Sequence, residues 1–148
     1  ILSRVRPDEP IRIIMNCSGG DVVEGLAIYD AIKNLKCQVE IDVYGRCYSM
    51  AAWVLQAADV RRMSKYSSMM IHNGEAGQEG KKDEVKNWYN FHQEMDALCE
   101  QILLDRIREK HPNYPKKKLD RMLATDTVLW AHQALELGLI DAVIGEDE

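Results

Sequence analysis

From Lys81 to His111 the chain runs without a single glycine or proline. Within that run Val85, Trp88, His92, Met95, Cys99, Ile102 and Arg106 recur at steps of three and four, and Phe91, Leu98, Leu103 and Ile107 widen the stripe. That spacing is one face of an amphipathic helix. At 1.5 Å per residue a helix over Lys81–Lys110 is about 45 Å long. A compact domain of 148 residues has a radius of gyration of roughly 15 Å, hence a diameter near ~38 Å. The helix is therefore expected to project beyond its own domain. An apolar stripe on a projecting helix needs a partner, and another copy of the chain is the simplest one.

The whole chain is expected to be one α/β domain spanning residues 1–148. Ile11–Met15 is a short β-branched run bounded by Pro10 and by Asn16-Cys17-Ser18-Gly19-Gly20, which reads as a buried strand ending in a glycine turn. Asp21 is a plausible N-cap for a helix carrying Val22, Val23, Leu26, Ala27, Tyr29, Ile32 and Leu35. Val39–Tyr44 is a second strand closed by Gly45. Met50–Ala58 is an apolar helix opened by Ser49, and Val60–Met63 and Ser68–Ile71 are further strands. This alternation implies parallel pairing. After the glycine-rich His72–Gly80 and the long helix, Pro112 and Pro115 stop the chain. Short helices over Lys116–Ala124 and Ala131–Leu137 follow, the second ended by Gly138, and Leu139–Ile144 is a last strand.

Composition narrows the function classes. A net charge of -5 is a poor match for a phosphate backbone, which needs a basic face, so no nucleic-acid partner is expected. No apolar run reaches the ~18–20 residues that span a bilayer, so no membrane partner is expected. Arg4, Arg6, Asp8 and Glu9 break any secretory apolar segment. Cys17, Cys37, Cys47 and Cys99 are scattered without a paired spacing, which favours idle thiols in a reducing compartment over metal or disulfides. A cytoplasmic protein is the expectation.

Three places offer chemistry. Ser18-Gly19-Gly20 follows a buried strand, and glycines there leave backbone N–H groups free and approachable. Ser49 sits at a strand-to-helix turn, where it is either a plain N-cap or a nucleophile favoured by the helix terminus and nearby amides. His72 ends an apolar strand, a position more often structural than catalytic in a chain taken at random.

Glycine turn, turn serine, strand-end histidine and long helix, in that order, resemble the ClpP family of serine peptidases. The stretches that carry the likeness are Asn16–Asp21, Ala27–Asp30, Gly45–Ala51, Ser68–His72 and Ala134–Asp141, so it covers Ile11 to Ile144. The resemblance implies a ClpP/crotonase-like fold of repeated β-β-α units with a projecting handle helix. It implies Ser49 as nucleophile, His72 as general base and Asp126 as the orienting acid, although spacing leaves Asp120, six residues upstream, as an alternative. It implies an oxyanion hole from the backbone N–H groups of Gly20 and Met50. Imidazole, with an ordinary pKa near ~6.5, can take a serine proton at neutral pH when a carboxylate holds its tautomer. The resemblance further implies stacked rings, usually heptameric, enclosing the sites. Unfolded polypeptide is fed in by an ATP-driven unfoldase and bound as an added strand beside the segment after Gly20. The peptidase itself is expected to need no cofactor and no metal.

The chain departs from the family at several points. Ser18 stands where proline is common, Arg46-Cys47-Tyr48 replaces small residues, Asn73-Gly74 replaces Gln-Pro, and Trp130 and His132 are large for their positions. Tyr48 is expected to narrow the specificity pocket. The N-terminal helix and axial loops that help dock the unfoldase are expected to be missing. The drift fits a divergent, phage-encoded or auxiliary branch. Two competing readings are an inactive structural ring subunit and a crotonase-type acyl-CoA enzyme. The first is disfavoured by the intact Ser49, His72 and Asp126, the second by the Ser-His-Asp set itself.

Overall fold

The structure is a computed structural model that describes residues 9–74 and 79–146. Arg4, Arg6 and Asp8 of the segment read against a secretory signal, and Glu75–Gln78 of the glycine-rich loop, lie outside the described residues. The elements are β1 (Ile11–Cys17), α1 (Val22–Lys33), β2 (Val39–Tyr48), α2 (Met50–Leu55), β3 (Val60–Ser64), β4 (Ser68–Ile71), α3 (Lys82–Lys110), α4 (Lys116–Leu123), β5 (Thr127–Trp130), α5 (Ala131–Leu137) and β6 (Ala142–Ile144).

Strand β2 organises the sheet. Its residues Val39–Val43 pair in parallel with β1, while Glu40–Val43 pair in parallel with β3 on the opposite edge. Further along that second edge Arg46–Tyr48 pair with β4. The outer strands are β1, beside β2 only, β6, parallel to β3, and β5, antiparallel to β4. The parallel pairing expected from alternating strands and helices is present among β1, β2, β3, β4 and β6. The antiparallel β5 was not expected, and β2 does not stop at Gly45. It continues because side chains take up the interrupted ladder: Gly45 N–H donates to Ser67 Oγ at 2.8 Å and Arg46 N–H to Asn16 Oδ1 at 3.1 Å.

Helix α2 is shorter than expected but buried along its whole length. It packs with Ile41, Met63, Met69, Ile71, Leu103 and Leu139 in the core. Asp42 on β2 is wholly buried, and its charge is compensated by Arg12 and by Arg62 Nε at 2.7 Å, as a buried carboxylate requires. Helix α3 divides in two. From Cys99 onward it buries Cys99, Leu103, Leu104 and Ile107, whereas nothing in Lys82–Leu98 is fully buried. Trp88, Tyr89, Phe91 and Leu98 stand exposed on that first part, which matches the expected projection. No helix among the described residues is long and apolar enough to cross a membrane.

Candidate active site

The sheet brings two ladder ends together. Tyr48, the last residue of β2, pairs with Met70 of β4. The next residue, Ser49, still donates its backbone N–H to Met70 carbonyl at 2.8 Å before the chain turns into α2. On the other side of β4, Ile71 pairs with Thr127 of β5. One step beyond that antiparallel pair, His72 faces Asp126. Two pairings of one strand thus deliver a serine, a histidine and an aspartate to the same sheet end.

The geometry follows. Ser49 Oγ lies 2.8 Å from His72 Nε2. His72 Nδ1 lies 3.5 Å from Asp126 Oδ1, whose side chain is 72% exposed. Asp120 is engaged elsewhere, accepting from Lys116 Nζ at 2.9 Å, so it is Asp126 that stands beside the imidazole. Ser49 occupies the N-cap position of α2, yet its side chain makes no capping bond. Its hydroxyl is turned to the histidine instead. Its backbone, at φ 52° and ψ −130°, is the one positive-φ non-glycine position among the described residues. Such conformations cost about 1–3 kcal/mol and persist where the surroundings over-determine them.

The glycine turn is pressed against this elbow. Gly19 has φ 97°, and a Cβ there would lie 2.7 Å from both Ser49 Cβ and Tyr48 O. Gly19 N–H is taken by Cys17 Sγ at 3.4 Å. The N–H groups of Gly20 and Met50 have no partner among the described residues. They are therefore available to a developing anion, as backbone donors at a helix start are. Asp21 accepts from Glu24 N–H at 3.1 Å as the N-cap of α1.

Ser49 and His72 open onto a small cleft, with room of only about 20 Å³ for a water-sized sphere. Its apolar wall includes Val22, Met50, Trp53, Cys99 and Leu123, and Asp96 and Glu100 also face it. Glu100 pairs with Lys116; burial pushes its carboxyl up from the usual range, opposed by the lysine. The neighbouring thiols are poor rival nucleophiles. Burial pushes the Cys47 thiol far up. Burial, and then the charge of Asp96, hold the Cys99 thiol at about 11. Both stay protonated at neutral pH, and the thiolate is the reactive form.

One expectation is corrected. Tyr48 does not line the cleft: its hydroxyl bonds Ser68 Oγ at 2.8 Å, and the indole of Trp53 supplies the bulk instead. The segment after Gly20 is brief: Asp21, extended at φ −62° and ψ 135°, caps α1, and the helix begins at Val22. Sequence reading missed Trp53, Asp96 and Glu100 as cleft residues. The i, i+4 spacing of Asp96 and Glu100 marked a shared helix face, but nothing in the spacing said what it faced.

A family model described as Clp protease matches residues 1–147. An ATP-dependent Clp protease proteolytic subunit from Deinococcus radiodurans is 34% identical over 148 residues, spanning 99% of this chain and 70% of that protein. The mixed α/β sheet with its long helix is the architecture such relatives imply. On the extent of both matches, the chain belongs to the Clp protease family.

Proposed function

We propose that this chain is a serine endopeptidase that cleaves unfolded polypeptides, with Ser49 as nucleophile, His72 as general base and Asp126 as the group that orients the imidazole. The observation that carries this reading is the 2.8 Å contact between Ser49 Oγ and His72 Nε2, made by a serine that forgoes the helix cap. His72 Nε2 takes the hydroxyl proton as Oγ attacks the scissile carbonyl. That tautomer leaves Nδ1–H directed at Asp126, which stabilises the imidazolium. The carbonyl oxygen becomes an oxyanion met by the N–H groups of Gly20 and Met50. One such donor is worth about 3–4 kcal/mol of barrier in other enzymes. His72 then returns the proton to the leaving amine, and water repeats the sequence to free the acyl group. Membership of the Clp protease family supports a setting of stacked, heptameric rings in the cytoplasm, supplied by an ATP-driven unfoldase.

The test is a fluorophosphonate probe with casein as substrate. The wild-type chain is expected to be labelled on Ser49. Ser49→Ala is expected to lose labelling and about 10⁴–10⁶-fold in turnover. Because Ser49 makes no capping bond, its stability is expected to fall by less than about 1 kcal/mol. A wild-type chain that neither labels nor cleaves, or an alanine variant that still cleaves, overturns the reading.

A further inference from the structure

We infer that Asp96 is a positioning residue for His72, acting through the backbone of Gly74; the inference rests on the reading of His72 as general base. Asp96 Oδ1 on α3 accepts the Gly74 N–H at 3.0 Å, across 22 residues of sequence. The intervening Asn73 donates its N–H to Leu123 carbonyl, at the end of α4, at 2.8 Å. Both residues leaving His72 are thus held by their amides, one on a backbone carbonyl and one on a side-chain carboxylate. A carboxylate accepting a backbone N–H makes the stronger kind of hydrogen bond. The approach is close: a Cβ on Gly74 would lie 3.0 Å from Asp96 Oδ1.

These contacts close a circuit around the reacting pair. Trp53, four residues after Ser49 on α2, donates Nε1–H to the Cys99 carbonyl at 2.8 Å in the interior. Cys99 is the first buried residue of α3, one turn beyond Asp96. The path runs from Ser49 along α2 to Trp53, across to α3, back to Asp96, over to Gly74, and through His72 Nε2 to Ser49 Oγ. Every step is covalent chain or a named hydrogen bond. The contact between Ser49 and His72 is therefore fixed from two sides, and among the described residues Asp96 is the side chain that holds the segment leaving His72.

The variants are Asp96→Ala, Asp96→Asn and Gly74→Ala in the full chain, read by casein or peptide turnover and by the rate of fluorophosphonate labelling. Asp96→Ala is expected to lower kcat and the labelling rate by about 10- to 100-fold, the scale of a misplaced catalytic group, with KM within about twofold. Asp96→Asn keeps an oxygen that can accept the Gly74 N–H and is expected to retain most of the wild-type rate. Gly74→Ala pushes on the same contact from the loop, so the double variant with Asp96→Ala is expected to be no slower than the slower single one. Melting temperature and sedimentation run in parallel. If Asp96→Ala does not fold, Gly74→Ala carries the same expectation. A wild-type rate in Asp96→Ala, an Asp96→Asn as slow as the alanine, or multiplying losses in the double variant overturns the role of Asp96 while leaving a labelled Ser49 in place. A wild-type chain without labelling overturns the parent reading as well.

Discussion

Gly19 presses on Ser49 without a functional group of its own. A methyl there meets Ser49 Cβ and the Tyr48 carbonyl at 2.7 Å, and the position demands a left-handed backbone. Backbone cannot retreat as a flexible side-chain tip can, so the elbow itself must move. Gly19→Ala is expected to slow fluorophosphonate labelling of Ser49 by about 100-fold or more and to destabilise the fold by more than about 1 kcal/mol, read by labelling kinetics and thermal melting. At this scale the positions of Ser49 and His72 stood out, each at the end of an apolar strand beside a glycine turn, but the residues alone favoured a helix cap and a structural histidine, and their roles came from the family resemblance. Asp126 was legible only as one of two candidates, since Asp120 shares its neighbourhood in sequence. What separates them is the pairing of Ile71 with Thr127, a contact between residues far apart in the chain. Asp96 was not legible: its partner is a backbone amide, and an amide has no signature in the sequence.

Helix α3 shows how far periodicity reaches at the scale of elements. The absence of glycine and proline marked its length to within a residue, Lys82–Lys110 against Lys81–Lys110. Its stripe read as uniform from Val85 to Ile107, but burial begins at Cys99. Hydrophobic spacing identifies a face; it does not say where along the helix the domain ends. Trp88 at 47% and Leu98 at 56% exposure lie where the domain does not cover the helix, and apolar patches of this kind mark association sites. If the proposed assembly forms through this face, the double substitution Trp88→Glu and Leu98→Glu is expected to dissociate it, because carboxylates buried without partners cost several kcal/mol. It should leave the unfolding midpoint of the separated chain nearly unchanged. Sedimentation velocity and urea denaturation check both halves. Strand β5 was missed for a different reason: four residues are too few to show alternation, and their pairing comes from β4.

At the scale of the whole molecule, one buried arginine ties the C-terminal segment to the sheet. Arg61, 4% exposed, bonds both carboxylate oxygens of Asp141 and also the Gln56 side chain and the Gly138 carbonyl. Burial works against the charge on Asp141, but the bonds from Arg61 outweigh it and hold the carboxyl below its ordinary 3.8. A depressed carboxylate stabilises the fold above its unfolded value, and the contribution fades as pH falls through the lower folded value. Asp141→Ala is expected to cost about 2–3 kcal/mol at pH 7, the figure for a broken buried pair reduced for the half-exposed carboxylate. The gap to wild type should narrow as the pH falls below the carboxyl's ordinary value and through its lower folded value, as followed by urea titration at neutral and acidic pH. The Ala134–Asp141 motif was legible as a family mark, while the reason for its aspartate lies in Arg61, a partner 80 residues upstream. Strand β2 has a consequence of another kind. It is flanked by β1 on one edge and by β3 and β4 on the other, and Ser49 follows directly on its end. Segments open locally in proportion to how little they bury, so the strand that ends at Ser49 is among the last to fray. Under the function proposed above, a peptidase that cleaves only unfolded chain is expected to be a poor substrate for itself at this strand, with self-digestion beginning in the uncovered first half of α3.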